Sequence, residues 1–110
     1  MSVAETGLLG EWRAARYIKK AGLRILERRY RTQHGEIDLI ARDGDVTVMI
    51  EVKTRLKGQM GDGIRAVDYK KQQHLHYAAA CYMQSHTVSA VRFDVIEITA
   101  AGIRHIKNAF

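Results

Sequence analysis

Asp38 and the run Glu51-Val52-Lys53 are the residues of this 110-residue chain whose types and spacing suit chemistry. Side chains alternate along a strand. Glu36, Asp38 and Ile40 therefore share one face of residues 35–42, and Met49, Glu51 and Lys53 share one face of residues 45–55. Asp43-Gly44, between two alternating apolar runs, predicts a two-residue hairpin turn in which Arg42 pairs with Asp45. That register sets Asp38 opposite Met49 and diagonal to Glu51, within roughly 7–8 Å. Ile37, Leu39 and Ala41 then agree with Val48, Ile50 and Val52 on the other face, which supports the pairing. Two carboxylates so arranged suit Mg2+ or Mn2+, hard ions that take oxygen ligands and keep several waters. Such an ion polarises a phosphoryl oxygen and acidifies a bound water. Lys53 would orient that water or stabilise charge developing on the phosphate.

The charge around this hairpin fits the same chemistry. The chain carries 18 Lys and Arg against 12 Asp and Glu, a formal net charge of +6. Residues 13–31 hold Arg13, Arg16, Lys19, Lys20, Arg24, Arg28, Arg29 and Arg31 against the single acid Glu27. Residues 35–51 reverse the sign, with Glu36, Asp38, Asp43, Asp45 and Glu51 against Arg42. Basic residues return at Lys53, Arg55, Lys57, Arg65, Lys70 and Lys71. The balance points to a polyanionic partner, nucleic acid ahead of an anionic membrane. Acids to hold a cation and bases to hold a phosphodiester form one reading; plain neutralisation of a surface is the other, and charge alone does not separate them.

The elements that must position these residues follow from periodicity. Residues 5–21 read as a helix stopped by Gly22, with an apolar stripe of Leu8, Trp12, Ala15 and Ile18. Glu11 falls inside that stripe, where an acid is expensive unless paired; an arginine partner and a functional role are both open to it. Residues 23–31 read as a weak strand, residues 35–42 and 45–55 as strong ones, and residues 57–63 as a glycine-rich loop. Residues 64–84 read as a second helix with Leu75, Ala78, Ala79 and Tyr82 as its stripe. Traced back one turn, the stripe reaches Lys71 and Gln72, which would point toward the sheet, whereas Gln73 lies on the far face; Tyr69, Lys70 and Lys71 suit a solvated face as well as a substrate contact. Residues 88–99 and 102–106 close the chain as two strands, giving the order αβββαββ in one domain, residues 1–110. The five histidines form no metal pattern and read as surface residues. Trp12 and Tyr17 have rings that stack on bases, though on a helix such rings more often belong to core or rim. Cys81 stands alone, which excludes a disulfide framework and a cysteine-rich zinc site and fits a reducing compartment. No apolar run spans a bilayer, so no membrane partner and a cytoplasmic location are expected.

Gly10-Glu11 with Tyr17, Gly35-Glu36-Ile37-Asp38-Leu39-Ile40-Ala41-Arg42-Asp43, and Glu51-Val52-Lys53-Thr54-Arg55 closely resemble the YraN family of small bacterial proteins. Ala66-Val67, Lys71-Gln72, Arg92-Phe93-Asp94-Val95 and the tail Asn108-Ala109-Phe110 continue the match over nearly the whole chain. Lys107 departs from it, standing where the family usually has proline. The resemblance implies an α/β, restriction-endonuclease-like core, a mixed central sheet flanked by helices, similar to archaeal Holliday-junction resolvases and other PD-(D/E)XK nucleases. By that likeness Asp38, Glu51 and Lys53 form the signature triad, the Val52 carbonyl is a further metal ligand, and Glu11 is the acid that a first helix aims at the metal. The implied activity is Mg2+-dependent hydrolysis of DNA, including branched or structured DNA. Arg13, Arg16, Lys20, Arg28, Arg29, Arg31, Arg55, Lys57, Lys71 and Gln72 are the expected nucleic-acid contacts. A non-catalytic nucleic-acid-binding or assembly module with the same fold is the rival expectation, and a basic interaction protein with a surface carboxylate patch the third. Cutting both strands of a junction would favour a two-fold homodimer, which nothing in the sequence shows.

Overall fold

The expected hairpin forms, but its turn lies one residue further on. In the computed structural model, which describes residues 3–55 and 68–110, Asp43 pairs with Val46 and the two loop residues are Gly44 and Asp45. Gly44 has φ +60°, a left-handed conformation that suits glycine, and this decides where the chain reverses. The register therefore shifts by two residues from the expected one: Leu39 faces Ile50, Ile40 faces Met49 and Ala41 faces Val48. A two-residue slip preserves side-chain parity, so these residues keep their expected faces. It brings Asp38 level with Glu51, where a diagonal relation was expected.

The elements are α1 (Val3–Lys20), β1 (Arg24–Thr32), β2 (Gly35–Asp43), β3 (Val46–Arg55), α2 (Tyr69–Ser85), β4 (Ala90–Thr99) and β5 (Gly102–Ile106). Among the described residues the order is αβββαββ, as the periodicity indicates. The strands make one sheet in the order β1-β2-β3-β4-β5. Pairing is antiparallel except between β3 and β4, which run parallel from Val46↔Ala90 to Arg55↔Thr99. Among the described residues the result is a mixed five-stranded sheet with one helix on each face. Among the described residues no helix is long and apolar enough to cross a membrane.

Each face has its own core. Ala14, Ala15 and Ile18 of α1 pack on Leu39, Ala41, Val48, Ile50, Ile96 and Ile98, while Leu75, Ala78, Ala79 and Tyr82 of α2 pack on Ile37, Ile40, Met49 and Val95. Ile37 thus lies on the α2 side, not with Leu39 and Ala41 as strict alternation requires. The β1–β2 ladder shifts register between Ile25 and Glu27, and further along, between the pairs Arg28↔Leu39 and Tyr30↔Ile37, Arg29 adopts φ +52°. Asp38 sits across from Arg29 in that register. On α1 the buried face is centred further round the helix than expected: Leu8 and Trp12 are exposed, and the small Ala14 and Ala15 meet the sheet.

The second helix begins at Tyr69, later than residue 64. Asp68 is extended and caps it, accepting a 2.8 Å hydrogen bond from the Lys71 amide. Residues 64–67 and the glycine-rich stretch 57–63 lie outside the described residues. Past β5 the chain turns at Asn108 (φ +54°) and docks on β4, where the Ala109 amide donates to the Phe93 carbonyl at 2.7 Å and Phe110 stacks on Phe93. Lys107 leaves this docking intact.

Candidate functional site

The β2–β3 ladder ends at Leu39↔Ile50, and the next residue on each strand is an acid. Beyond that last pair the Asp38 carboxylate crosses the gap, its Oδ2 accepting a 2.8 Å hydrogen bond from the Val52 amide. Glu51 is only 4% exposed. Its Oε1 lies 3.3 Å from Lys53 Nζ and 3.4 Å from Lys71 Nζ. Its Oε2 is buried with no hydrogen-bond partner among the described residues. Burial first, and the Glu51 charge second, push the Asp38 carboxyl up to about 7, against the opposing pull of the Val52 amide and Lys71. Lys71 reaches the site from the start of α2, as the helix periodicity indicates.

Glu11 arrives from the other face. Gly10 makes this possible: a Cβ at that position would run into Thr54 Oγ1, so only glycine lets α1 lie this close to the end of β3. Glu11 Oε2 accepts from Arg29 Nε at 2.9 Å and Nη2 at 2.7 Å. The acid inside the apolar stripe is thus offset by an arginine, the pairing that was open to it. Glu11, Trp12, Arg28, Arg29 and Asp38 line a common cleft of about 260 Å³. Glu11 also adds to the charge raising Asp38.

The basic residues separate into groups. Arg13, Arg16 and Lys20 share a second cleft, about 380 Å³, with Trp12, Tyr17 and Ile103. Arg31 and Lys71 line a third, about 470 Å³, with His34 and His74. Arg31 is also 3.4 Å from Glu36, an exposed pair of little energetic weight. Arg55 is exposed at the end of β3 and Gln72 is half-buried on α2. Lys57 lies outside the described residues.

One cluster escaped the sequence reading. Asp94 is fully buried and binds Arg92 at two points, Nε to Oδ1 and Nη2 to Oδ2, both 2.9 Å. Arg92 Nη1 reaches Asp43 Oδ2 at 3.0 Å, His105 Nε2 lies 2.7 Å from Asp94 Oδ2, and the Asn108 amide donates to Oδ1 at 3.0 Å. Burial opposes ionisation of Asp94, yet the bonds from His105, Arg92 and Asn108 hold its carboxyl below the ordinary carboxylate range. The His105 side chain is only 4% exposed, a correction to the surface reading of the histidines. The available signal was Arg92-x-Asp94, two opposite charges on one face of a largely apolar strand.

The donor set can be tested against a divalent ion. Among the described residues no three His, Cys, Asp or Glu side chains gather closely enough to hold a metal by themselves. Mg2+ needs fewer, since one or two carboxylates with carbonyl, water and phosphate oxygens suffice. A buried carboxylate oxygen without a partner, beside a second acid that resists ionisation, is the environment a cation relieves. The residues fit.

Comparison with known proteins gives a consistent relationship. The model of the "Uncharacterised protein family UPF0102" matches residues 10–98. A UPF0102 protein of Thermodesulfovibrio yellowstonii is 45% identical over 111 residues, covering 100% of this chain and 99% of that protein. One from Alkaliphilus oremlandii is 42% identical over 112 residues, covering 94% and 96%. One from Thermotoga neapolitana is 44% identical over 104 residues, covering 89% and 95%.

Proposed function

This chain belongs to the uncharacterised protein family UPF0102, as the YraN likeness anticipates, and from that premise we propose that it is a divalent-metal-dependent nuclease acting on DNA. The observation that carries the reading is the buried, unpartnered Oε2 of Glu51 beside the half-buried Asp38 at the end of the hairpin ladder. In this reading the core is of the restriction-endonuclease-like, PD-(D/E)XK type, with Asp38, Glu51 and Lys53 as its triad. Asp38, Glu51 and the Val52 carbonyl would hold Mg2+ or Mn2+, with Glu11 as a further acid. A bound cation would supply Lewis-acid polarisation of the scissile phosphate and a more acidic water. Lys53 Nζ, beside Glu51, would donate to the phosphate as charge develops on it. Arg28, Arg13, Arg16 and Lys20 would hold the flanking phosphates. Two copies related by a two-fold axis would serve the two strands of a junction.

Purified protein with Mg2+ or Mn2+, presented with duplex, single-stranded, flap and junction DNA, should cut at least one of them. Asp38→Ala should abolish cleavage while salt-sensitive DNA binding persists. Failure to cut any of these substrates would sink the enzymatic reading.

One observation favours a second reading, a non-catalytic nucleic-acid-binding or assembly module. Lys53 and Lys71 both flank Glu51 Oε1, so part of its charge is offset without a metal. Calorimetric titration with Mn2+ separates the two. Heat seen with the wild type and lost in Glu51→Gln supports the metal centre, and its absence from both supports the module.

A further inference from the structure

Trp12 is out of place for a residue that only stabilises a fold. It is 55% exposed, and its neighbour one turn back, Leu8, is 50% exposed. The contact of α1 with the sheet is made instead by Ala14, Ala15 and Ile18. Trp12 forms the ridge between two clefts, one shared with Asp38, Glu11 and Arg28, the other with Arg13, Arg16 and Lys20. The Arg16 guanidinium lies over the indole, 5.6 Å from its centroid. A flat apolar surface flanked by cations on both sides complements a base with its phosphates.

We propose that Trp12 is a stacking platform for an unpaired nucleobase, so that the nucleic acid this protein takes is single-stranded or branched at the point of contact. The proposal rests on the nucleic-acid reading above and narrows its substrate class. A base inside an intact duplex is covered by its neighbours and cannot reach an indole on a protein surface. An unpaired base can, with one flanking phosphate toward Arg13, Arg16 and Lys20 and the other toward Arg28. A second copy of this chain is the weaker occupant, because joining two such faces would oppose two sets of arginines.

Trp12 is the single tryptophan of the chain, so its fluorescence reports this surface alone. The protein is titrated in EDTA with a short DNA strand, with the same strand carrying an abasic site at each position in turn, and with the duplex. The full strand should quench the indole, and the duplex and one or more abasic strands should quench much less. Trp12→Ala should bind the labelled strand roughly ten- to hundredfold more weakly, with Trp12→Phe close to wild type. Equal quenching by every abasic strand, or unchanged affinity in Trp12→Ala, overturns the proposal. So does a dimer in sedimentation that Trp12→Ala converts to a monomer. These measurements exclude metal, so a protein that binds and quenches but never cuts contradicts only the nuclease reading. Absence of any salt-sensitive binding contradicts both.

Discussion

Gly10 of α1 lies against Thr54 of β3 so closely that one added carbon would strike the threonine hydroxyl. The contact fixes how near the first helix comes to the end of the strand that carries Glu51 and Lys53. Gly10→Ala should therefore destabilise the fold by about 1–3 kcal/mol, despite alanine's better helix propensity. Urea denaturation measures the cost, and Gly10→Ala combined with Thr54→Ala should recover part of it. A single variant as stable as wild type would show that the helix can lift without penalty.

Asp38 makes the metal-free protein sensitive to pH in an unusual direction. Its carboxyl is raised to about 7 from an ordinary 3.8 by burial and by Glu51. Between those values the folded state keeps a proton that the unfolded chain has lost. This group's contribution to stability therefore falls as pH rises from 4 to 7, by at most about 4 kcal/mol. Thermal melts of wild type and Asp38→Asn across that range should differ by a pH-dependent gap, with the asparagine variant the more stable at pH 8. Parallel curves would refute the shift.

Lys71 holds that shift down, since its charge favours the ionised Asp38. Lys71→Met should move the Asp38 titration upward, above about 7, in a carboxyl-carbon NMR titration. A downward move would mean that Lys71 acts on Asp38 through packing, not charge.

If the site holds a metal, its ligands must be deprotonated to do so. Affinity for Mn2+ should weaken as pH drops from 8 to 6, following the Asp38 titration. Calorimetry at several pH values tests this, and a flat affinity would place the ion elsewhere.

Asp94 is an acid whose loss the fold should tolerate poorly. It is fully buried with Arg92 and His105 arranged around it. Asp94→Ala strands the Arg92 charge in the sheet and should cost about 3–5 kcal/mol, read from urea melts. A cost under 1 kcal/mol would mean that water or Asp43 alone satisfies Arg92.

The hairpin and both helices were legible because apolar periodicity survives on each face of the sheet. Asp38, Glu51, Lys53 and Lys71 could be brought together from spacing alone. The turn was misplaced by one residue because Asp43-Gly44 is a good turn pair, and only the backbone reveals that glycine takes the first loop position. The slip was harmless because it preserved parity. Strict alternation puts Ile37 on the wrong face, because neither the register shift between Ile25 and Glu27 nor the left-handed backbone of Arg29 leaves a mark in residue type. Glu11 is recognisable as an anomaly, but its partner Arg29 lies on β1, beyond the reach of local periodicity. His105 was read as surface for the same reason, its acid lying across the β4–β5 pair.

The parallel pairing of β3 with β4 carries a consequence for how the chain assembles. β1, β2 and β3 meet through short turns, whereas β4 can join only after α2 has carried the chain back across the sheet. Local contacts close first because they cost less loop entropy. The strand pair bearing Asp38 and Glu51 would then assemble before the parallel strand that buries its far edge. The two acids approach each other while still wet, when their repulsion is weakest, and their environment dries only as the helices and β4 dock. Pulsed hydrogen exchange should protect Leu39 and Ile50 before Val95 and Ile96; the reverse order would overturn this sequence of events.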